Sequence, residues 1–252
     1  MSDKPEQATL QSEQSVDVTE RICLDLFAGS GGFSAAFADC PNWRVVTVDN
    51  REETDPDICA DIMELRPGDL PNADVVLVGH PCTLFSTAGN HDEWDQQAGK
   101  PTGERARLHV AMVYHSLGLV HALTPDYWYL ENPRGRLRWI LGEPEGTVTY
   151  CQYGTNYQKP TDLWGNHPDG FTYRSCPRGA DCHASNTDDD GYSTIQSMPS
   201  DYDKRSQMPR ELSESILRAV EGRSRQQTLV AVADGGNDHG LQTVTDQNGG
   251  DD

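Results

Sequence analysis

The sequence predicts an α/β domain whose sheet is mostly parallel and carries helices on both faces. Three observations lead there. Short apolar runs alternate with segments of helical periodicity, the runs stop at glycine, proline or a carboxylate, and a glycine-rich turn joins the first run to the first helix. In sheets of this kind ligands gather at the carboxyl ends of the strands, so the residues just past each run are the ones to inspect.

The elements follow in order. "RICLDLF" (21–27) is a short buried strand, "AGSGGFSAAFADC" (28–40) a glycine turn feeding a helix, and "WRVVTVD" (43–49) a second strand, which together make a β-α-β unit. "DVVLVG" (74–79) is another buried strand, and residues 105–123 carry apolar side chains at helical spacing over about five turns. "DYWYLENP" (126–133) is a strand ended by its proline, with "GTVTYCQYG" (146–154) and "TDLWGN" (161–166) as later strands. The alternation breaks at about 167–204, a stretch rich in Gly, Asp, Ser and Pro that reads as an insertion. "MPRELSESILRAVEG" (208–222) closes the domain as a helix, with Pro209 suited to its first turn and Gly222 to its end. Residues 1–20 and 223–252 read as disordered acidic arms around a domain spanning 21–222, because neither has the apolar residues to bury a core.

At 252 residues the chain suits one substantial domain. It has no apolar run of membrane-spanning length and no signal-peptide core, so a cytoplasmic protein without membrane association is expected, and a monomer. Its seven cysteines are scattered and odd in number, which argues for reduced thiols over a disulfide framework. The charge is lopsided: 40 Asp and Glu against 20 Lys and Arg give −20, and only Lys4, Lys100, Lys159 and Lys204 are lysines. Such a surface repels nucleic acid in dilute salt, yet in multimolar salt the screening length falls to about 3 Å or less. An acidic, lysine-poor composition is therefore expected of a halophile.

Three short motifs can carry chemistry. In "DLFAGSGG" (25–32) the glycines let a ligand approach the backbone, and Asp49, about twenty residues on, stands where a carboxylate accepts ribose hydroxyls; the alternative is a tight turn with no ligand. In "DICADIMEL" (57–65) Asp57 or Asp61 could reach an adenine amino group, or Asp61 could simply cap the turn that begins there. Cys82 in "HPCTLFS" (80–86) lies just beyond a strand, where packing, metal ligation and nucleophilic attack are all open to a thiol. Cys23, inside its strand, reads as structural. The polar loop that follows, 83–105, has a length at which loops are commonly functional. Glu131 in "ENP" (131–133) ends the next strand, either capping a turn or holding a raised pKa against an apolar wall.

Taken together, "DLFAGSGG", "HPCTLFS" and "ENP" resemble, in order and spacing, motifs of the DNA cytosine 5-methyltransferases, and the likeness runs from about residue 21 to 221. The resemblance implies a Rossmann-like S-adenosylmethionine-dependent methyltransferase fold. It implies that Phe27, Ser30, Gly31, Gly32, Asp49, Asn50, Asp61, Ile62 and Pro81 surround S-adenosyl-L-methionine. Cys82 would attack carbon 6 of a cytosine flipped out of DNA, and Glu131 would act on ring nitrogen 3. Asn132 and Lys159 would bind the base, Lys159 standing where the family carries a Gln-x-Arg-x-Arg pattern, and the loop after Cys82 would be a lid. His80 and Thr83 depart from the family, which has proline before the Pro-Cys pair and glutamine after it. With the short insertion in place of a target-recognition region, these departures suggest a compact relative of the kind encoded by viruses or prophages, with or without a restriction partner. No standard metal motif is present: Cys176, Cys182 and His183 in the insertion would need a fourth ligand from elsewhere to hold zinc. Two other readings stay open, a methyltransferase of the same fold acting on RNA or a nucleotide, and a catalytically degenerate decoy that binds DNA or cofactor.

Overall fold

The computed structural model describes residues 20–87, 91–177, 180–183 and 207–234. Its elements in order are β1 (Arg21–Leu26), α1 (Ala35–Ala38), β2 (Trp43–Asp49), β3 (Ile58–Cys59), β4 (Val75–Gly79), β5 (Trp94–Asp95), β6 (Lys100–Pro101), α2 (Glu104–Leu123), β7 (Tyr127–Pro133), α3 (Arg138–Leu141), β8 (Gly146–Thr149), β9 (Pro160–Asn166) and α4 (Arg210–Asp234), with short 3-10 turns between several of them. Seven of the strands form one sheet in the order β3-β2-β1-β4-β7-β9-β8. From β3 to β7 all neighbours run parallel, and β9 enters antiparallel between β7 and β8. This is the expected α/β fold with a mostly parallel sheet, with one reversed strand that the sequence pattern did not announce.

Strand periodicity explains why both faces are covered. Leu24, Leu26, Val46, Val48, Val76, Val78 and Leu130 project into one core, where α2 supplies Val113, Leu119 and Val120. Cys23, Val75, Leu77 and Tyr129 project into the other, closed by Phe37 of α1 and by Leu212, Ile216 and Val220 of α4. Alternate residues of a strand point to opposite faces, so a strand apolar at every position must be sandwiched. Each such buried side chain contributes roughly 1.5–3 kcal/mol over its exposed state. Cys23 is fully buried, as a structural cysteine should be.

The structure corrects the sequence reading at three places. Only Ala35–Ala38 of the expected first helix is helical, because the chain spends residues 27–34 in turns, with Gly29 at φ 55° and Gly31 at φ 75°. Left-handed backbone of this kind cannot extend a right-handed helix. The long loop after Cys82 is not simply polar. Leu84, Phe85 and Trp94 are buried, and the β5–β6 hairpin folds inside it, with residues 88–90 outside the described residues. Finally, α4 runs through Gly222 to Asp234, since one interior glycine costs only about 1 kcal/mol against alanine. The remainder of the two expected arms, residues 178–179 and 184–204 of the insertion, and residues 205–206 lie outside the described residues. The start of the insertion is packed: His167 stacks on Tyr129 with ring centres 4.0 Å apart, and Phe171 is buried.

Candidate active site

The site forms where β1 and β4 lie side by side but lead into opposite halves of the sheet. At the end of β1, Phe27 takes φ 61°, a costly conformation for a bulky residue that turns the chain sharply outward. Phe27, Val48, Asp49, Asn50, Ala60, Asp61, Ile62, Pro81 and Met112 line an open cleft. Six of the nine residues expected around a cofactor are thus brought together. Ser30, Gly31 and Gly32 sit in the adjoining turn and are not among its lining, whereas Val48, Ala60 and Met112 are additions that no local motif singled out.

Asp49 is held firmly before any ligand arrives. Its Oδ2 accepts the Gly29 amide at 2.8 Å, and its Oδ1 accepts the Arg51 amide at 3.0 Å and Arg51 Nε at 3.1 Å. Asp61 lines the cleft, and its Oδ1 accepts the Met63 amide at 2.9 Å and so caps a 3-10 turn. Asp57 is excluded from the cleft: its Oδ2 accepts both the amide and the hydroxyl of Thr47 at 2.8 Å, bracing the edge of the sheet.

Parallel pairing of β4 with β7 sets Gly79 opposite Glu131, so the "HPC" and "ENP" segments leave the sheet together. Asn132 ties them. It is fully buried, and its side-chain amide donates to the His80 carbonyl at 2.9 Å, so this residue, expected to bind the base, braces the His80 backbone. Cys82, half-buried, opens a tight turn whose Phe85 and Ser86 amides donate to its carbonyl at 3.0 and 2.9 Å. That turn is clamped from behind by buried Arg136, which donates to the Ser86 carbonyl, and by the Arg136 amide on the Phe85 carbonyl at 2.8 Å. Gly135 permits the approach, since a Cβ there would run into the Phe85 carbonyl oxygen.

Glu131 is buried, and its carboxyl is pushed above the usual range, mainly by loss of water and against the pull of the Lys159 ammonium. Tyr150 donates to its Oε1 at 3.2 Å, and the Lys159 ammonium donates to the Tyr150 hydroxyl at 3.4 Å. Lys159 therefore does join the Glu131 cluster, by way of a tyrosine that sequence reasoning did not flag. His80, noted only as a departure, is buried against Phe27, Phe85 and His109, and burial lowers its pKa to about 3. It is a neutral wedge beneath the Pro-Cys turn. Further back, Arg138 grips buried Asp162 with two bonds of 2.7 Å and so neutralises a second carboxylate near Glu131.

Asp25, two residues before Phe27, is the buried carboxyl that the motif concealed. Its Oδ2 accepts the Ser34 hydroxyl at 2.6 Å, and desolvation raises its pKa from 3.8 to about 7. Below pH about 4 it is protonated in folded and unfolded chains alike, and its stabilising contribution is complete. Between there and pH 7 the unfolded chain ionises first, so stability falls as pH rises, by at most about 1.4 kcal/mol per unit. We expect Asp25→Asn to flatten this part of the profile, read from urea midpoints at pH 5 and 7.5. An unchanged difference between the two midpoints would show that Asp25 is ionised in the fold.

The model of the family described as C-5 cytosine-specific DNA methylase matches residues 22–138. The chain is 26% identical over 134 residues to the type II methyltransferase M.Bsp6I of Bacillus sp. (strain RFL6), a match covering 49% of this chain but only 38% of that protein. Among solved structures it is similar to a candidate DNA modification methyltransferase encoded within an E. coli prophage, at 17% identity and TM-score 0.39 over 57% of this chain and 46% of that one. It is also similar to an antibiotic-related methyltransferase, at 11% identity and TM-score 0.33 over 64% of this chain and 96% of that one.

Proposed function

We propose that the chain, whose residues 22–138 match the model of the C-5 cytosine-specific DNA methylase family, methylates carbon 5 of cytosine in DNA through a covalent adduct on Cys82. The observation that carries this reading is the junction at one sheet edge: Pro81 lines the cleft, Cys82 follows it, and Glu131 ends the neighbouring strand in register with Gly79.

The lining of the cleft suits S-adenosyl-L-methionine in its chemistry. Phe27, Val48, Ile62 and Met112 offer an apolar slot for a flat ring, and Asp49 and Asp61 offer carboxylates to hydroxyl, amino and cationic groups. When bound there, S-adenosyl-L-methionine supplies an electrophilic methyl group. The chain's own residues make the acceptor reactive. Cys82 Sγ adds to carbon 6 and breaks the 5,6 double bond, while Glu131 gives a proton to nitrogen 3, leaving carbon 5 enamine-like. After methyl transfer a base takes the carbon 5 proton, the 5,6 double bond reforms as the Cys82 thiolate departs, and the nitrogen 3 proton returns to Glu131. Carbon 6 lies inside the duplex stack, so the base must be flipped out at a cost of about a few kcal/mol. Tyr150 and Lys159, beside Glu131, stand next to where its ring would lie.

Bisulfite sequencing of DNA from cells expressing the full chain tests this directly. Protected cytosines at a recurrent sequence are the expected result, and uniform conversion under conditions where the protein is folded and abundant would contradict it. The −20 charge points to a high-salt setting, in which repulsion between an acidic surface and phosphate is screened. Activity on duplex DNA should therefore climb as KCl is raised towards molar concentration; a maximum in dilute buffer would count against a halophilic enzyme.

A further inference from the structure

We propose that Cys151, Cys176, Cys182 and His183 form a structural zinc site that fastens the insertion to the wall of the active site. The inference rests on side-chain geometry away from the cofactor cleft and stands whether or not the chain methylates cytosine.

The three insertion residues come with the fourth ligand they lacked in the sequence. Cys151 lies in the 3-10 turn between β8 and β9, remote in sequence from Cys182, yet their sulfurs are 3.6 Å apart. The Cys176 and Cys182 sulfurs are 3.0 Å apart, and His183 Nδ1 lies 3.7 Å from the first and 3.5 Å from the second. All four ligand atoms lie within 4.8 Å of one another. A tetrahedral zinc with bonds of about 2.3 Å to sulfur and 2.0–2.1 Å to nitrogen sets its ligand atoms about 3.5–3.8 Å apart, the spacing of the Cys151–Cys182, Cys176–His183 and Cys182–His183 pairs. Three thiols and an imidazole are a soft set that selects zinc over magnesium or calcium. Four protein ligands leave no position for water, which makes the site structural and not catalytic.

The fold gives the metal something to hold. The insertion is already zipped to the end of β8, where the Thr149 amide donates to the Arg174 carbonyl at 3.0 Å and the Cys176 amide donates to the Thr149 hydroxyl. Arg174 lies over the Tyr153 ring at 3.9 Å, and its amide donates to the Tyr153 hydroxyl at 3.2 Å. Cys151 directly follows Tyr150, the tyrosine that donates to Glu131. A metal bound through Cys151 would therefore fix the start of the insertion against the same turn that shapes the Glu131 pocket, and would supply cross-links that a segment so poor in apolar residues lacks.

The test is direct metal analysis of the full chain, purified in the presence of zinc and a thiol reductant. About one zinc per chain is expected, falling below about one-fifth in Cys176→Ala and in Cys151→Ala and staying at about one in the control Cys59→Ser. Cobalt exchanged into the wild type should give the intense visible bands and thiolate charge transfer of a tetrahedral site with three sulfur ligands and one nitrogen, which a folding defect in the variants could not mimic. Wild-type protein that is folded but metal-free, an octahedral cobalt spectrum, a Cys176–Cys182 disulfide persisting under reductant, or undiminished zinc in both alanine variants would each overturn the proposal.

Discussion

Cys82→Ser is expected to lower the single-turnover rate of methyl transfer to DNA by at least about 10³-fold while leaving affinity for S-adenosyl-L-methionine within about twofold. The hydroxyl has nearly the volume of the thiol, and the contacts that shape its turn are made by the backbone. The Phe85 and Ser86 amides donate to the residue 82 carbonyl, and Arg136 holds the far side of the turn. Neither depends on sulfur, so the fold and the cleft beside Pro81 should survive. What changes is the nucleophile. A free thiol with a pKa near 8.5 is a few per cent thiolate at neutral pH, whereas a serine hydroxyl is ionised to a negligible extent without an adjacent base. Retained methylation with intact binding would remove Cys82 from the chemistry.

The second large effect is expected at Glu131. A glutamine in its place would preserve the volume and still accept the Tyr150 hydrogen bond through its amide oxygen, but it has no carboxyl proton to give. Glu131→Gln should therefore slow the reaction by about 10²–10⁴-fold with DNA binding kept. The pH profile adds a signature that a packing role would not produce. Burial raises the Glu131 pKa in spite of Lys159 and Tyr150, so the protonated carboxyl persists to higher pH than an exposed one would. Turnover by the wild type should fall as pH climbs through that raised value, and the fall should vanish in the glutamine variant. A variant with the wild-type rate, or with the same pH dependence at a lower rate, would contradict a proton-donating Glu131.

How much of this was visible in the chain depends on the range of the interaction. β1, β2, β4 and β7 were legible because parallel strands buried on both faces read as uninterrupted apolar runs. The motifs at their ends were legible because a glycine turn, a Pro-Cys pair and a Glu-Asn pair each occupy only a few consecutive residues. The first helix was overestimated, since Phe27, Gly29 and Gly31 take positive φ and spend the segment on turns. The loop after Cys82 hid a hairpin because Trp94 is isolated among polar neighbours and its burial against Phe85 is a tertiary contact. The closing helix overran Gly222 because its backbone there stays helical. The least legible contacts are those between distant segments: Asn132 on His80, Tyr150 on Glu131, Cys151 beside Cys182. The first follows from the parallel register of β4 and β7 and the second from β9 entering antiparallel between β7 and β8, neither of which a local pattern encodes.

The central step is formation of a sulfur–carbon bond, and that bond can be trapped. Duplex DNA carrying 5-fluorocytosine blocks the final elimination, because fluorine cannot leave carbon 5 as the proton does, so the intermediate accumulates. With S-adenosyl-L-methionine present, the full chain should form a denaturation-resistant DNA adduct that peptide mass spectrometry maps to Cys82 and that Cys82→Ser cannot make. DNA that is bound and methylated without any adduct, or an adduct on another residue, would contradict the mechanism.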